Sequence, residues 1–457
     1  MDPVAVDSTT VCHVVAIPFP GRSHINPMMN LCKLLASRKP DILISFVVTE
    51  EWLGYIKSEP KPDCLNFKTI PNVIPPEHLK TVDFPAFYEA VMTNMEAPFE
   101  QLLDRLQPPV TAIIGEIEVR WAIGLGIRRN IPVAAFWTMS AKFLSMLYHF
   151  QIFAQDQGSP IDLLENVDKI PGISPSSVAE LGTIFQRNDL RVLQLALECI
   201  ANVPGAQYLL STSIYELEPQ IIDLLKATFP CPIYSIGPAI PYLELEDRSL
   251  KPNCGHNCPD YIKWLDSHPK NSVLYISFGS FITISSTQMD EIAAGLRDGG
   301  VRFLFIARGA ASQFEDMCND KGLVLPWCDQ LKVLCHPSIA GFWTHCGWNS
   351  TMEAVFAGVP MLTFPHFLDQ DSNSRQIVED WRIGMLVKQE SKEDNFLTRE
   401  EIAEAVQKFM HSARHEDNEM RLRARELRNL CQPAVAECGS SATNIDAFVR
   451  DIIKNNC

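Results

Sequence analysis

The 457-residue sequence contains no apolar run that approaches the roughly 18–20 residues needed to span a bilayer. It also has no cluster of Lys and Arg to offset its acidity: 55 acidic residues outnumber 39 basic ones, and the formal net charge is −16. This charge argues against a nucleic-acid partner. The first residues, Met1, Asp2 and Pro3, lack the basic segment of a signal peptide, so we expect a cytoplasmic protein without a transmembrane segment.

The 14 cysteines form neither a disulfide framework nor a paired zinc-binding pattern. One cluster, Cys254, His256 and Cys258, lies in a polar stretch with no second Cys/His pair nearby, and we interpret it as part of a linker. We therefore predict no metal and no cofactor.

What the sequence does contain is an alternation of short apolar runs with helical patterns. A hydrophobic content of 46% and a charged content of 21% are typical of a globular chain. The runs predict strands at 11–19, 42–48, 112–114, 133–137, 208–211, 273–278, 303–307, 339–344 and 361–364. Alternation of this kind indicates parallel sheets covered by helices.

The length accommodates two such units, so the predicted fold class is α/β with two Rossmann-like domains whose parallel sheets face a cleft. The domains are expected at 1–240 and 260–440. Residues 241–259, which are polar and rich in Pro and Gly, form the predicted linker. A last helix within 441–457 is expected to pack toward the first domain. Ligands bind at the carboxyl ends of parallel strands, which makes the cleft the expected site.

One candidate site follows the first strand, where residues 20–27 read PGRSHINP. The next helix is predicted to begin with Asn26 as its N-cap and Pro27 in its first turn. His24 would then lie at the carboxyl edge of the sheet, where an imidazole can take a proton from a hydroxyl group. The alternative is a histidine that only braces the turn.

A second candidate site lies between the strand at 339–344 and a helix predicted at 351–357. Ser350 and Glu353 have the spacing of a capping box, and Gly358 marks the end of the helix. His345, Trp348 and Asn349 crowd the same turn. The N-terminus of a helix can hold a diphosphate, although a turn that only caps the helix is the simpler interpretation.

The stretch from Trp327 to Gln370 resembles the signature box of plant UDP-dependent secondary-product glycosyltransferases. The matching residues are Trp327, Gln330, His336, Gly341, Phe342, His345, Cys346, Gly347, Trp348, Asn349, Ser350, Glu353, Gly358, Val359, Pro360, Pro365, Asp369 and Gln370. Residues 272–280 (SVLYISFGS) and 211–218 (STSIYELE) also resemble landmarks of this family, so the resemblance covers essentially the whole chain.

The resemblance implies a GT-B fold and transfer of a hexose from a UDP-sugar, without a metal, to a hydroxyl or carboxyl of a small hydrophobic metabolite, with inversion. It implies stacking of Trp327 on uracil, ribose contacts from Gln330 and Glu353, and diphosphate contacts from His345, Asn349 and Ser350. Trp348, Asp369 and Gln370 would face the sugar. Ser280 and Cys328 complete the predicted donor-binding set. Gln370 resembles the form of the box that prefers glucose, so UDP-glucose is the expected co-substrate.

In this family a carboxylate, normally Asp, orients the catalytic histidine, whereas here Glu116 follows the corresponding strand. Glu is longer by one methylene group, which displaces the carboxylate by roughly 1–1.5 Å, enough to matter in catalysis. Glu118 is a second candidate for this role, and Arg120 could draw either carboxylate into an ion pair. Ser23 and Lys142 also depart from the family pattern.

The sequence thus predicts a UDP-hexosyltransferase with His24 as general base and Glu116 as its partner. The alternative is a glycosyltransferase-like protein with lost or repurposed catalysis, which binds UDP or a metabolite or catalyses another reaction. A nicotinamide-dependent oxidoreductase is disfavoured because no Gly-x-Gly-x-x-Gly motif follows the first strand. Aromatic residues that either line an acceptor pocket or belong to the core are Phe84, Phe87, Tyr88, Phe143 and Tyr148.

Overall fold

The computed structural model describes residues 12–73, 84–157, 190–246, 260–279, 284–307, 321–388 and 396–454. The chain forms two compact units, one of Met1–Ala239 with Glu437–Cys457 and the other of Ile240–Ala436. Within the described ranges, no helix combines the length and apolar character needed to cross a membrane.

The first unit contains a seven-stranded parallel sheet in the order β3-β2-β1-β4-β5-β6-β7. Its strands are β1 (His13–Ile17), β2 (Leu43–Thr49), β3 (Leu65–Ile70), β4 (Ala112–Glu116), β5 (Val133–Trp137), β6 (Tyr208–Ser211) and β7 (Ile233–Ser235). The chain builds outward from β1 to β3 and then returns to place β4 on the other side of β1. The sheet therefore has its switch point between β1 and β4, where ligands of such sheets bind.

The second unit repeats this arrangement in a six-stranded parallel sheet with the order β10-β9-β8-β11-β12-β13. Its strands are β8 (Val273–Ser277), β9 (Arg302–Ile306), β10 (Gly322–Leu325), β11 (Ile339–Thr344), β12 (Met361–Thr363) and β13 (Gly384–Leu386). The switch point here lies between β8 and β11. The predicted fold class, two parallel-sheet α/β domains, is confirmed.

Helices connect most of these strands. In the first unit they are α1 (Arg22–Arg38), α2 (Glu50–Ile56), α3 (Phe84–Asn94), α4 (Glu96–Leu103), α5 (Trp121–Arg129), α6 (Ala141–Gln157), α7 (Leu190–Asn202) and α8 (Pro219–Thr228). In the second unit they are α9 (Leu243–Glu246), α10 (Asp260–Asp266), α11 (Ser286–Gly299), α12 (Gln330–Leu334), α13 (Trp348–Ala357), α14 (Asp369–Arg375), α15 (Arg399–Arg414) and α16 (Glu419–Val435).

The last helix, α17 (Ser440–Lys454), belongs to the first unit, where it packs on β7. The Asn444 amide donates to the carbonyl of Ser235 at 2.9 Å, and the Phe448 ring lies against Tyr208 and Tyr234. Of the predicted linker, residues 247–259 lie outside the described residues. The part before them belongs to the second unit and includes α9, and Tyr242 there stacks on Phe356.

The prediction that Asn26 caps the first helix is wrong, because α1 begins at Arg22 with Gly21 as its N-cap. The Gly21 carbonyl accepts the N–H groups of His24 and Ile25 at 3.0 and 2.8 Å, so the first turn closes before Pro27 is reached. Because Pro27 has no backbone N–H, the helix lacks the hydrogen bond that this position would otherwise have donated. His24 therefore lies within the first turn of the helix and not in a loop before it.

The predicted capping box of Ser350 and Glu353 is also wrong. Helix α13 begins at Trp348, its N-cap is Gly347, and no side chain caps its first turn. Ser350 and Glu353 instead accept hydrogen bonds from the Gln330 amide. The predicted end of this helix is correct, since Gly358 adopts the left-handed conformation with φ of 72°.

Candidate active site

The switch point of the first sheet joins His24 and Glu116, which are 92 residues apart in the sequence. Glu116 is the last residue of β4, and its side chain is buried. The His24 Nδ1 atom lies 2.5 Å from Glu116 Oε1. The longer side chain that replaces the family's usual Asp therefore still reaches the imidazole.

Two further donors hold the Glu116 carboxylate in place. The backbone N–H of Phe19 donates to Oε2 at 2.7 Å, and the Thr138 hydroxyl donates to Oε1 at 2.8 Å. Because this carboxylate acts as an acceptor throughout, the contact with His24 is a hydrogen bond donated by Nδ1–H. That tautomer leaves Nε2 without a proton, as a general base requires.

The arginine that follows β4 is paired with a different carboxylate. Arg120, which the sequence suggested as an ion-pair partner of Glu116 or Glu118, pairs with Glu198 of α7. Glu118 is buried, with one carboxylate oxygen within 4.8 Å of both a His24 ring nitrogen and a Glu116 oxygen.

Aromatic rings form one wall beside His24. The Phe19 ring lies 5.0 Å from the imidazole, and Phe87 and Tyr88 contact Phe19 edge-on. Of the other predicted aromatic residues, Phe84 is half-buried and stacks on Tyr88. Phe143 and Tyr148 belong to the core, where Phe143 stacks on Trp137 and Tyr148 on Phe229. The apolar surface near the base therefore comes from the end of β1 and from α3.

The two remaining departures from the family pattern occupy different positions. Ser23 is exposed on the first turn of α1. The backbone N–H of Lys142, near the start of α6, donates to the Glu218 carboxylate at 3.0 Å.

At the switch point of the second sheet, His345 lies beside Gly279. His345 directly follows β11, and Gly279 comes two residues after the end of β8. A Cβ atom at Gly279 would lie 2.6 Å from His345 Nε2, and one at Gly347 would lie 2.5 Å from it. Only glycine fits at these two positions, and Gly279 also has a φ of 78°. Both glycines therefore fix the plane of the imidazole.

His345 is held in its neutral form. Burial lowers the pKa of its imidazole to about 4, the nearby His366 adds to this effect, and a contact with the Ser277 backbone opposes it. Among the described residues, His345 Nδ1 has no hydrogen-bond partner. It lies just before α13, a ten-residue helix whose first turn carries no side-chain cap. A neutral donor beside the positive end of a helix dipole suits a diphosphate.

The two residues predicted to contact the ribose, Gln330 and Glu353, are hydrogen-bonded to each other. Gln330 is the first residue of α12. Its amide N–H group donates to the Ser350 hydroxyl at 2.9 Å and to the Glu353 carboxylate, while its carbonyl accepts from the Tyr275 hydroxyl at 3.1 Å. Burial raises the pKa of Glu353 to about 7, against the lowering effect of the Gln330 bond.

Near these residues the side chain of Trp327 is 64% exposed, which is unusual for an indole and leaves its face available for stacking. Cys328, by contrast, is buried, and its sulfur lies 3.5 Å from the Tyr275 hydroxyl. Trp348 is also buried, 6.2 Å from the ring of Trp381. Ser280 lies outside the described residues.

The predicted sugar-binding pair stands at the start of α14. The side-chain carbonyl of Gln370 accepts the backbone N–H groups of His366 and Phe367 at 2.9 and 3.1 Å. These two bonds occupy the carbonyl oxygen of the amide and fix the orientation of its NH2 group.

Asn373, which sequence reasoning missed, fixes Asp369. Its amide donates to the Asp369 carboxylate at 2.7 Å and to the carbonyl of Cys346 at 2.9 Å. This fully buried side chain thus connects Asp369, the predicted sugar-binding residue, to the turn that contains His345. The available signal was its spacing, since residues four apart on a helix are neighbours.

Two parallel-sheet α/β units, with a diphosphate-type helix terminus in one and a carboxylate-bound histidine in the other, define a glycosyltransferase of the GT-B type. The family model described as UDP-glucoronosyl and UDP-glucosyl transferase matches residues 249–427. UDP-glycosyltransferase 87A2 of Arabidopsis thaliana is 47% identical over 460 residues, which cover 100% of both chains. A 7-deoxyloganetin glucosyltransferase of Catharanthus roseus is 32% identical and covers 96% of each chain.

Among solved structures, Phytolacca americana UGT2 complexed with UDP-2fluoro-glucose and pterostilbene superposes with a TM-score of 0.79 at 26% identity. The match covers 96% of this chain and 99% of that one. The chain belongs to the plant UDP-glycosyltransferase family, and it is an enzyme that transfers a sugar from a UDP-sugar.

Proposed function

We propose that this enzyme transfers glucose from UDP-glucose to a hydroxyl group of a small hydrophobic acceptor, with inversion and with His24 as general base. The observation that carries this proposal is the bond from His24 Nδ1 to Glu116 Oε1 at 2.5 Å. It selects the tautomer in which Nε2 can accept a proton. The nearby ring of Phe19 gives the base an apolar flank for an aromatic or aliphatic acceptor.

In the proposed reaction Nε2 takes the proton of the acceptor hydroxyl as its oxygen attacks the anomeric carbon. The bond to UDP breaks, and UDP leaves with the bonding electrons. Glu116 stabilises the imidazolium that forms, in the manner of a hydrolase triad. Attack on the face opposite UDP turns an α-linked donor into a β-glucoside.

On the donor side, we assign the exposed indole of Trp327 to the uracil and the Gln330 and Glu353 side chains to the ribose. His345, Asn349 and Ser350, together with the N-terminus of α13, would hold the diphosphate without a metal, and we keep Ser280 and the backbone of Cys328 in this set. Because the pKa of His345 is about 4, this residue would act as a neutral hydrogen-bond donor. The helix dipole would then supply the electrostatic stabilisation of the leaving group.

The preference for glucose rests on Gln370. Its carbonyl is occupied by two backbone N–H groups, so that its NH2 group is available to donate to a sugar hydroxyl. We place Asp369 on the same sugar as an acceptor, and Trp348 against it through its backbone. Two of the similar proteins point the same way: the Catharanthus relative is named a glucosyltransferase, and the Phytolacca structure contains a glucose donor analogue.

Between a hydroxyl and a carboxyl acceptor, the site favours the hydroxyl. An acceptor carboxylate is already ionised and needs no base, and it would approach the buried negative charge of Glu116. A phenol or alcohol, by contrast, needs the proton transfer that His24 offers. The Phytolacca complex contains pterostilbene.

We assign the reaction to plant secondary metabolism in the cytoplasm. The ten described cysteines are thiols without disulfide bonds, which suits a reducing compartment.

The alternative, a protein of this fold with lost or repurposed catalysis, rested on Glu116 in place of Asp and on Ser23 and Lys142. The contact between His24 and Glu116 supports the transferase over this alternative. The test is release of UDP from UDP-glucose across a panel of phenols, alcohols and acids. We expect turnover with phenols or alcohols, and a His24→Ala variant that loses roughly 10²–10⁴-fold in kcat while its affinity for UDP stays unchanged.

His411→Ala is the matched control, because His411 is exposed on α15. If the His24→Ala variant retained turnover, His24 would not be the general base. Binding of UDP without acceptor-dependent turnover anywhere on the panel would favour the alternative.

A further inference from the structure

A buried hydroxyl group in the second unit contacts two residues of the predicted donor-binding set. Tyr275 lies in the middle of β8 and is only 1% exposed. Its ring stacks on Phe342, its partner in the register of β11, with the ring centroids 4.9 Å apart. Because the sheet fixes both rings, the Tyr275 hydroxyl occupies a fixed position beside Gln330 at the start of α12.

The hydrogen bonds of this hydroxyl have a defined direction. It donates to the side-chain carbonyl of Gln330 at 3.1 Å, and the Cys328 sulfur lies 3.5 Å from its oxygen. Burial raises the pKa of the Cys328 thiol to about 12, and it raises the pKa of Tyr275 well above its ordinary value despite a lowering contact with Ser277. Both groups keep their protons, and since the single Tyr275 proton goes to Gln330, the thiol donates to the Tyr275 oxygen.

This direction fixes the orientation of the Gln330 amide. Its carbonyl faces Tyr275, so its NH2 group faces the Ser350 hydroxyl, at 2.9 Å, and the Glu353 carboxyl group. An amide turned the other way would place its carbonyl oxygen against the acceptor oxygen of Glu353. The Tyr275 hydroxyl therefore favours the one orientation in which Gln330 donates to both Ser350 and Glu353.

We propose that Tyr275 is a positioning residue for recognition of the ribose: its hydroxyl fixes the Gln330 amide and thereby holds Gln330 and Glu353 in the geometry that binds the ribose hydroxyl groups. The proposal rests on the assignment of these two residues to the ribose under the proposed function. Without the Tyr275 hydroxyl the amide is free to rotate, and binding then has to restore its orientation at a cost in affinity. Tyr275 acts through Gln330 and not by its own contact with the nucleotide.

The test compares the binding of UDP with that of dideoxy-UDP, which lacks both ribose hydroxyl groups, by calorimetry on the unmodified enzyme and on Tyr275→Phe. This variant keeps the ring that stacks on Phe342. We expect the unmodified enzyme to prefer UDP by roughly tenfold or more. In Tyr275→Phe the affinity for UDP should fall roughly tenfold, as for the loss of one hydrogen bond, while the affinity for dideoxy-UDP stays unchanged. The KM for UDP-glucose should rise by a similar factor at an unchanged kcat.

Two further variants separate positioning from a general loss of packing. Tyr234→Phe removes another buried hydroxyl, which is hydrogen-bonded to Asp451 in the first unit, and should leave both affinities unchanged. Gln330→Ala should weaken UDP binding, and the addition of Tyr275→Phe to it should cause no further loss, because Tyr275 acts through Gln330. A further loss in the double variant, or an equal fall of both affinities in Tyr275→Phe, overturns the proposal.

The outcomes also separate this inference from the proposed function. If the unmodified enzyme bound UDP and dideoxy-UDP equally, Gln330 and Glu353 would not contact the ribose, and the donor assignment would fail together with the proposal. If the unmodified enzyme preferred UDP and Tyr275→Phe kept that preference in full, only the role of Tyr275 would be refuted. The role of His24 as the base is tested independently by the turnover of His24→Ala.

Discussion

The switch points of the two sheets differ in their electrostatics. The second unit keeps two buried titratable side chains neutral, whereas the first unit stabilises a buried carboxylate. In the second unit, burial removes charge: it lowers the pKa of His345 to about 4 and raises that of Glu353 to about 7. In the first unit, the buried Glu116 carboxylate is held by Phe19 N–H, the Thr138 hydroxyl and His24. One site therefore offers neutral hydrogen-bonding groups and a helix terminus, and the other offers a stabilised negative charge beside an imidazole.

This difference in electrostatics suits the roles proposed for the two sites. A diphosphate brings its own negative charge, so neutral donors and a helix dipole bind it without adding an ion that must be desolvated. An acceptor hydroxyl brings no charge, and a proton must leave it. A carboxylate that accepts a hydrogen bond from the imidazole then stabilises the positive charge that the ring acquires with this proton.

The comparison predicts that removal of the Glu116 charge has the largest effect. In Glu116→Gln the amide NH2 group faces Nδ1 and selects the tautomer with the proton on Nε2. We expect kcat to fall roughly 10³–10⁴-fold, as for loss of the orienting carboxylate in a triad. Isothermal calorimetry should show an unchanged affinity for UDP, because the donor site lies in the other unit.

Glu89→Gln is the matched control, since it makes the same change at an exposed position on α3 and should leave kcat unchanged. If the two variants lost activity equally, the role of Glu116 as the partner of His24 would be wrong.

A smaller effect is expected from a methyl group at the second switch point. In Gly279→Ala the new Cβ would lie 2.6 Å from His345 Nε2, on a backbone with φ of 78°. We expect a loss of about 1–3 kcal/mol in the free energy of unfolding, typical of overpacking, and an affinity for UDP weaker by roughly tenfold or more. Gly54→Ala is the control, because nothing lies within 4 Å of its added Cβ.

An NMR titration of the labelled His24 imidazole should be the same in Gly279→Ala as in the unmodified enzyme, because a methyl group adds no charge. A shift there would show that the substitution also disturbs the structure around His24.

The interior of both sheets could be predicted from the sequence, but their edges could not. The nine predicted strands fall within two residues of observed ones, because strands flanked on both sides are continuous apolar runs. The four strands that the sequence did not reveal, β3, β7, β10 and β13, are the four sheet edges. They are short or of mixed polarity, as in Leu65–Ile70 (LNFKTI) and Ile233–Ser235.

The two sites also differed in how readily the sequence revealed them. All the predicted donor residues except Ser280 lie within the single stretch from Trp327 to Gln370, so their spacing could be read directly. The bond between His24 and Glu116 depends on the return of the chain to β4, which places residues 92 apart side by side. Both helix starts were mispredicted for one reason: Gly21 and Gly347 are N-caps without a side-chain signal, whereas Asn26 and Ser350 have one.

The last prediction is a dependence on pH that arises from the second unit alone. Glu353 has a pKa of about 7 in the folded protein, above its ordinary value of 4.5, because of burial. Between these values the unfolded chain has already lost the proton that the folded protein retains. The free energy of unfolding of the ligand-free enzyme should therefore fall as pH rises, with a slope approaching about 1.4 kcal/mol per pH unit from this group.

Binding of UDP should show the opposite trend, since ribose hydroxyls form stronger hydrogen bonds with the carboxylate than with the acid, so affinity should rise as pH passes 7. The measurement is the difference between the enzyme and Glu353→Gln in denaturant titrations and in calorimetry with UDP. Taking this difference cancels His345 and His366, whose lowered pKa values give slopes of the other sign at lower pH. If the variant kept both trends, Glu353 would not be their source. The contrast between a neutral proposed donor site and a charged proposed acceptor site would then rest on His345 alone.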